Sequence, residues 1–342
     1  MPAQKSQEIR LKSRPAGMPG PENFELAETT VPAPGAGEVQ VRNIFMSVDP
    51  YMRGRMVDRK SYTPPFRIGE ALSGGAIGQV VEAGPGAPFA VGDYVSNFNG
   101  WREWFVSKGG DLEKINPSLA PIQAFLGTFG MPGLTAYAGL LRVGALKEGE
   151  RVFVSAAAGA VGTVVCQIAK NKGCYVVGSA GSDDKCDWLR TEARVDATIN
   201  YKTCGNLMEA VGKAFPQGID VYFENVGGAH LEAALAHMRP HGRIAVCGMI
   251  DQYNATELPP GPRTMIAVVP NRLRIEGFIV SDHGDLMGDF LRDMSAWAKE
   301  GRLKWHETIY EGIARAPEAF MGLFKGANFG KMLVRLAPDR VV

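Results

Sequence analysis

Along the first 125 residues, short β-branched and aromatic runs alternate with Gly- and Pro-rich breaks: EVQVRNIFMSV, GGAIGQVVEAG and DYVSNFNGWREWFVS. Runs of this kind, cut at short intervals by turn residues, predict a small, mainly β unit. From about residue 126 the texture changes to apolar strands alternating with helical stretches. ERVFVSA leads into a helix over 160–172, and CYVVGSA into a helix opened by Ser182, Asp183 and Asp184. DATINY follows, and GIDVYFENV leads to a helix over 228–238. GRIAVCG and LRIEGFIVS are the last two strands, with an amphipathic helix at about 285–299. Six strands with intervening helices describe an α/β fold with a doubly wound parallel sheet of the Rossmann type. The tail ends in the strand-like GKMLVRL. The expected division is therefore a β-rich domain over 1–125, a nucleotide-binding domain over 126–304, and a segment 305–342 returning to the first domain.

The length of 342 residues agrees with two domains, being more than one core usually serves. A formal charge of +1 speaks against a nucleic-acid surface built on bulk charge. No apolar run reaches the roughly 18 residues that span a bilayer, and the N-terminus is polar, so a cytoplasmic protein without a membrane partner is expected. The five cysteines are scattered and never spaced C-x-x-C, which argues against a disulfide framework or a zinc knuckle. His237 and His241 are four apart, but Pro240 would interrupt a helix presenting both to a metal. No metal is expected.

The strand-to-helix junction VFVSAAAGAVG carries the first chemistry. A dinucleotide turn bends sharply, admits a diphosphate and offers helix N–H groups to negative charge. Gly159 stands where phosphate approach excludes a side chain, Ala160 and Val161 complete the turn, and Gly162 lets the helix pack on the sheet. Ala157 replaces the glycine that usually opens the fingerprint. An NAD site also wants a carboxylate at the end of the second strand. Here Ala180, Gly181 and Ser182 stand there, and Asp183 and Asp184 read as first-turn helix acids. With Ser182, Lys185 and Tyr201 available for a 2′-phosphate, NADPH/NADP+ is favoured. Asn225, Cys247 and Phe278 follow or close strands four, five and six, where a doubly wound sheet presents its ligand. Cys247 reads as a backbone contact, since no histidine or clear cationic partner adjoins it in sequence.

Eight ordered stretches make the resemblance specific: SVDPYMRGRM, MPGLTAYAGL, AAAGAVG, NYKT, YFENVGG, CGMIDQYN, EGFIV and FMGLFKGANFGK. In order and spacing they resemble the zinc-independent medium-chain reductases of the prostaglandin reductase and alkenal double-bond reductase group, which includes bacterial curcumin reductases. The resemblance implies a GroES-like β-rich catalytic domain, a Rossmann domain and an active-site cleft between them. It implies reduction of the C=C bond of α,β-unsaturated ketones and aldehydes by NADPH, usually in a homodimer. An alanine before the glycines is common in this group. Zinc-dependent relatives would carry a cysteine near Ser47 and Gly-His-Glu near 69–71, where this chain has SVDPY and IGEALSGG.

The resemblance further marks Tyr253 as the hydrogen-bond donor to the substrate carbonyl and Tyr51 as a substrate-facing tyrosine. For the cofactor it marks Thr135 in the helix-opening GLTAY, Gly159 to Gly162, Lys185, Tyr201, Asn225, Cys247, Gly248, Phe278, Ile279, Val280 and Asn328. The loop DQYNATELPPGPR is too long and polar for a tight strand-to-helix link and suits a cleft cover. Ser281-Asp282-His283 stands where many relatives carry a larger, often aromatic pair, which bears on substrate choice. A quinone reductase and a non-catalytic NADPH-binding protein are the competing readings.

Overall fold

The computed structural model describes residues 3–257 and 259–342. It divides into two compact units, one holding the chain up to Leu126 together with Glu307–Val342, the other Gly127–His306.

In the first unit β1 (Gln4–Leu11) pairs antiparallel with β2 (Phe24–Val31). β3 (Val39–Ser47) is followed by the short helix α1 (Met52–Arg55), then by β4 (Ala76–Ala83), β5 (Tyr94–Asn97), β6 (Trp104–Ser107) and β7 (Leu112–Lys114). β3 takes β4 and β6 as antiparallel partners. Its side chains are buried on both faces apart from Arg42, so the polar Gln40, Asn43 and Ser47 of this strand lie inside beside its apolar residues. Beside it lies an aromatic core in which Trp101 stacks on Phe24 at 6.2 Å and meets Phe320 edge-on at 6.0 Å.

The second unit opens with α2 (Met131–Tyr137), which runs on into a π-helical turn over Ala138–Val143. It continues as β8 (Arg151–Val154), α3 (Gly162–Asn171), β9 (Tyr175–Ala180), α4 (Asp183–Thr191), β10 (Ala197–Asn200), α5 (Leu207–Ala214), β11 (Ile219–Glu224), α6 (Gly228–His237), β12 (Met238–Val246), α7 (Val268–Asn271), β13 (Arg274–Gly277) and α8 (Met287–Lys299). The six strands stand in the order β10-β9-β8-β11-β12-β13, and every pair is parallel. This is the doubly wound α/β sheet, with its topological switch between β8 and β11. Phe153 of β8 stacks on Tyr222 of β11 at 5.1 Å, so the switch-point strands share one core.

Three expected boundaries shift. The last strand ends at Gly277, so Phe278 to Val280 follow β13 instead of closing it. β10 stops at Asn200, which leaves Tyr201 in the turn beyond it. Thr135 lies inside α2, not at its opening. His237 ends α6 while His241 lies on β12 with φ of 63°, so no single helix carries both.

The chain then returns to the first unit through β14 (Glu307–Glu311), α9 (Ala316–Leu323) and β15 (Lys331–Arg335). β15 pairs parallel with β14 and antiparallel with β3, completing a seven-stranded sheet. No helix among the described residues is long and apolar enough to cross a membrane.

Candidate active site

The turn after β8 is built from its own backbone. Ala156 adopts a left-handed φ of 46°, and Ala157 N donates to Ser179 O of β9 at 2.9 Å. Ala157 is fully buried, and a Cβ placed on Gly178 would lie 2.8 Å from its methyl. The glycine missing from the fingerprint at 157 thus has a counterpart at 178, where β9 leaves room for the alanine methyl. A Cβ on Gly162 would fall 2.3 Å from Ala156 O and 2.8 Å from Ala157 Cα. Gly162 is therefore required by the turn folding back on the helix start, in addition to any helix–sheet approach. Around Gly159 the protein leaves nearly open space, with Ala156 O at 3.2 Å from a hypothetical Cβ. Among the described residues no side chain caps α3; Thr163 N and Val164 N already donate to Gly159 O and Val161 O at 3.0 and 3.1 Å, so an anion would meet the N–H groups of the turn before them.

At the ends of β9 and β10 the polar residues are sorted by partner. Asp183 accepts from Asn200 Nδ2 at 2.7 Å, so this acid is engaged across the two strand ends. Ser182 is the N-cap residue of α4. Lys185 is half-buried, and burial first, then the charge of Lys202, lowers its pKa. Burial raises the pKa of Tyr201, whose hydroxyl would lie 2.7 Å from a Cβ on Gly181. The Tyr201 ring meets the His230 ring edge-on at 5.2 Å, and His230 Nε2 shares a 2.7 Å hydrogen bond with Ser179 Oγ. Burial pushes His230 down to about 4.

At the switch point, Asn225 N donates to Ser155 Oγ at 2.9 Å and Asn225 Nδ2 to Ser155 O at 2.8 Å. Cys247 N and Gly248 N donate to Glu224 O at 2.9 and 3.2 Å. Burial and the neighbouring Glu224 push the Cys247 thiol up to about 12, so it is no nucleophile at neutral pH. Tyr253 closes a 3₁₀ turn (Ile250–Gln252), and its hydroxyl accepts from Met249 N at 3.4 Å. That hydroxyl would lie 2.7 Å from a Cβ on Gly248, which places the phenol over the carboxyl end of β12. The loop beyond Tyr253 includes Leu258, which lies outside the described residues.

Two marked residues have side chains occupied by packing. The Phe278 ring rests edge-on against Phe223 at 6.3 Å, and a Cβ on Gly139 would be 2.3 Å from its Cζ. The Thr135 hydroxyl donates to Met131 O at 2.7 Å. Ile279 is half-buried, as is Val280, which opens the 3₁₀ turn Val280–Leu286 containing Ser281, Asp282 and His283.

Tyr51 and Asn328 belong to the first unit. Tyr51 follows Pro50, its hydroxyl enclosed without a hydrogen-bond partner among the described residues. Burial first, then the Asp49 carboxylate, raise its pKa, and the adjacent Arg55 guanidinium offsets only part of that rise. Asp49 is itself paired with buried Lys331 at 3.1 Å and accepts from Ser47 Oγ. Asn328 Nδ2 donates to Gly330 O at 3.0 Å. Among the described residues no three of His, Cys, Asp and Glu converge as a metal cluster.

The second unit thus brings the turn residues, Ser182, Lys185, Tyr201, Asn225, Cys247, Gly248 and Tyr253 to the carboxyl ends of one sheet, where such folds hold dinucleotides. Sequence reasoning missed Ser155, Gly178, Glu224 and the Ser179–His230 pair. Only Glu224 left a local signal, as an acid ending the otherwise apolar VYFE.

Residues 7–115 match a family model described as the N-terminal domain of oxidoreductase, and residues 160–296 one described as zinc-binding dehydrogenase. The NADPH-dependent curcumin reductase of Escherichia coli is 45% identical over 339 residues, covering 96% of each protein. Prostaglandin reductase 1 of Rattus norvegicus is 45% identical over 330 residues, 95% of this chain and 97% of the relative. The crystal structure of CurA from Vibrio vulnificus in complex with NADPH superposes with a TM-score of 0.92 at 41% identity, covering 97% of this chain and 99% of that one.

Proposed function

The chain belongs to the medium-chain dehydrogenase/reductase superfamily, within the group of curcumin, prostaglandin and 2-alkenal reductases, and from that premise we propose that it is an NADPH-dependent reductase of the C=C bond of α,β-unsaturated aldehydes and ketones. The observation that carries this reading is the Tyr253 phenol held over Gly248 at the carboxyl end of β12.

The residues present fit the cofactor. The turn from Gly159 to Gly162 suits a diphosphate. Lys185, near the Lys202 charge and in the first turn of α4 after its N-cap Ser182, suits a 2′-phosphate together with Tyr201, and the first-turn acid Asp183 is tied to Asn200. Asn225 and the backbone of Cys247 and Gly248 suit the nicotinamide half, as do Phe278 to Val280 through their backbone, with Thr135 as a further contact; Asn328 keeps the cofactor role that the resemblance gives it. When bound, NADPH supplies hydride for the β-carbon. Tyr253 Oη donates a hydrogen bond to the carbonyl oxygen, where negative charge grows as the enolate forms. Tyr51 keeps the substrate-facing role that the resemblance gives it, and water or the cofactor's ribose hydroxyl is the source of the proton for the α-carbon. A second copy of the chain is the proposed partner, supported by the exposed edge strand β13 and by the exposed apolar side chains of Ile266 and Val269.

A panel of 2-alkenals, alkyl enones, benzoquinones and nitroalkenes with NADPH, with product analysis, tests the proposal. Saturated aldehydes or ketones as products support it. A preference for benzoquinone by orders of magnitude makes the protein a quinone reductase. Tight NADPH binding with no turnover of any of these substrates makes it a non-catalytic binding protein.

A further inference from the structure

Glu224 ends β11 fully buried, in a strand otherwise apolar over VYF. A carboxyl taken out of water costs several kcal/mol unless it organises polar partners of its own. Its Oε1 accepts from Ser155 Oγ at 2.9 Å and from Val226 N at 2.6 Å. Ser155 in turn holds Asn225 through both its hydroxyl and its carbonyl. The backbone thus secured carries the whole next segment: Glu224 O takes Cys247 N and Gly248 N, Asn225 O takes Ile250 N at 3.2 Å, and Val226 O takes Asp251 N at 3.0 Å. Tyr253 stands at the end of that segment and bonds back to Met249 N.

We propose that Glu224 is a positioning residue for the reduction: its carboxyl fixes the end of β11 to Ser155 after β8, and thereby sets where the 247–253 segment holds the Tyr253 phenol. The inference rests on the role given to Tyr253 under the proposed function. Burial raises the pKa of Glu224, against the pull of the Gly227 and Val226 N–H groups. Tyr222 and Cys247 are the titratable groups facing it, and both have pKa values raised by their own burial and by its charge. What the carboxyl supplies at this place is an acceptor oxygen, which a glutamine amide also has.

The test is a double-mutant cycle with NADPH and a medium-chain 2-alkenal, using Glu224→Leu, Tyr253→Phe and the combination, with Glu224→Gln alongside. Glu224→Leu is expected to lower kcat about tenfold, while KM for NADPH moves less than about threefold. In the Tyr253→Phe background the same substitution is expected to cost less than about twofold, because a displaced phenol that lacks its hydroxyl has little left to lose. Glu224→Gln restores kcat to within about threefold of the parent through its amide oxygen. Equal losses in both backgrounds overturn the proposal, as does a loss carried wholly by KM for NADPH or a glutamine no better than leucine. Should Glu224→Leu fail to fold, Ser155→Ala removes the same hydrogen bond and enters the same cycle. If Tyr253→Phe alone leaves turnover unchanged, the role of Tyr253 fails first, a result read from the single variant and not from the cycle.

Discussion

Lys185 is held half-buried within reach of the charge on Lys202, and both effects press its ammonium to give up its proton. A phosphate dianion beside them reverses that pressure, because an opposite charge at short range favours the protonated form. Lys185→Ala is therefore expected to raise Kd for NADPH at least about tenfold and Kd for NADH less than about twofold, by fluorescence titration. Equal losses for both cofactors contradict a 2′-phosphate role. His230 offers a second residue-scale prediction. Its folded pKa, about 4, lies below the ordinary 6.5, so the folded protein binds fewer protons between those values. The stability it contributes is complete above pH 6.5 and is lost as pH falls toward 4, on the order of 3 kcal/mol in all. Urea unfolding at pH 7, 5.5 and 4.5 is expected to show a shallower acid decline for His230→Gln than for the parent. Parallel declines contradict it. Lys185 could be picked out from the sequence because it follows the strand end closely. The Ser179–His230 bond spans 51 positions and joins β9 to α6, so no local pattern announces it.

The turn between β8 and α3 is where element geometry decides most. Small residues over 156–162 were enough to place a strand-to-helix junction in the sequence, since turn chemistry is local. They did not show that Ala157 meets Gly178, because that contact depends on β9 lying in parallel register beside β8. Gly162→Ala puts a methyl into the carbonyl of Ala156, and backbone cannot yield as a flexible side chain does. The variant is expected to lose about 1–3 kcal/mol of stability and to bind NADPH at least about tenfold more weakly. Thermal unfolding and the same fluorescence titration check this, and an unchanged Kd removes the turn from the cofactor site. Boundaries were less legible than elements. β13 stops at Gly277 because the Phe278 ring turns in against Gly139 and Phe223, a packing choice invisible to periodicity.

At the scale of the molecule, the sheet of the second unit ends on one side in β13, all four of whose residues are exposed. Ile266 and Val269, which precede it in the chain, are 77% and 74% exposed, and Ile275 on the strand is 39% exposed. An exposed edge with apolar neighbours is a template for pairing with another strand. Light scattering is expected to give twice the 36.8 kDa chain mass. Val269→Glu combined with Ile266→Glu is expected to give the chain mass alone, because two buried carboxylates cost several kcal/mol. A parent that is monomeric at micromolar concentration sinks the dimer reading.

Legible in the chain alone are the order of strands and helices, the small-residue turn, the acid-free end of β9 and the family, since each is written in contiguous residues or in motifs kept in order. The partners that hold the strand ends of the candidate site came from the fold. Glu224 and Ser155 lie 69 positions apart, and Lys331 and Asp49 pair across most of the chain. Such partners meet because sheet topology brings distant strand ends together. Burial then makes a hydrogen bond or ion pair at those ends consequential, and neither effect is encoded in any one stretch of the chain.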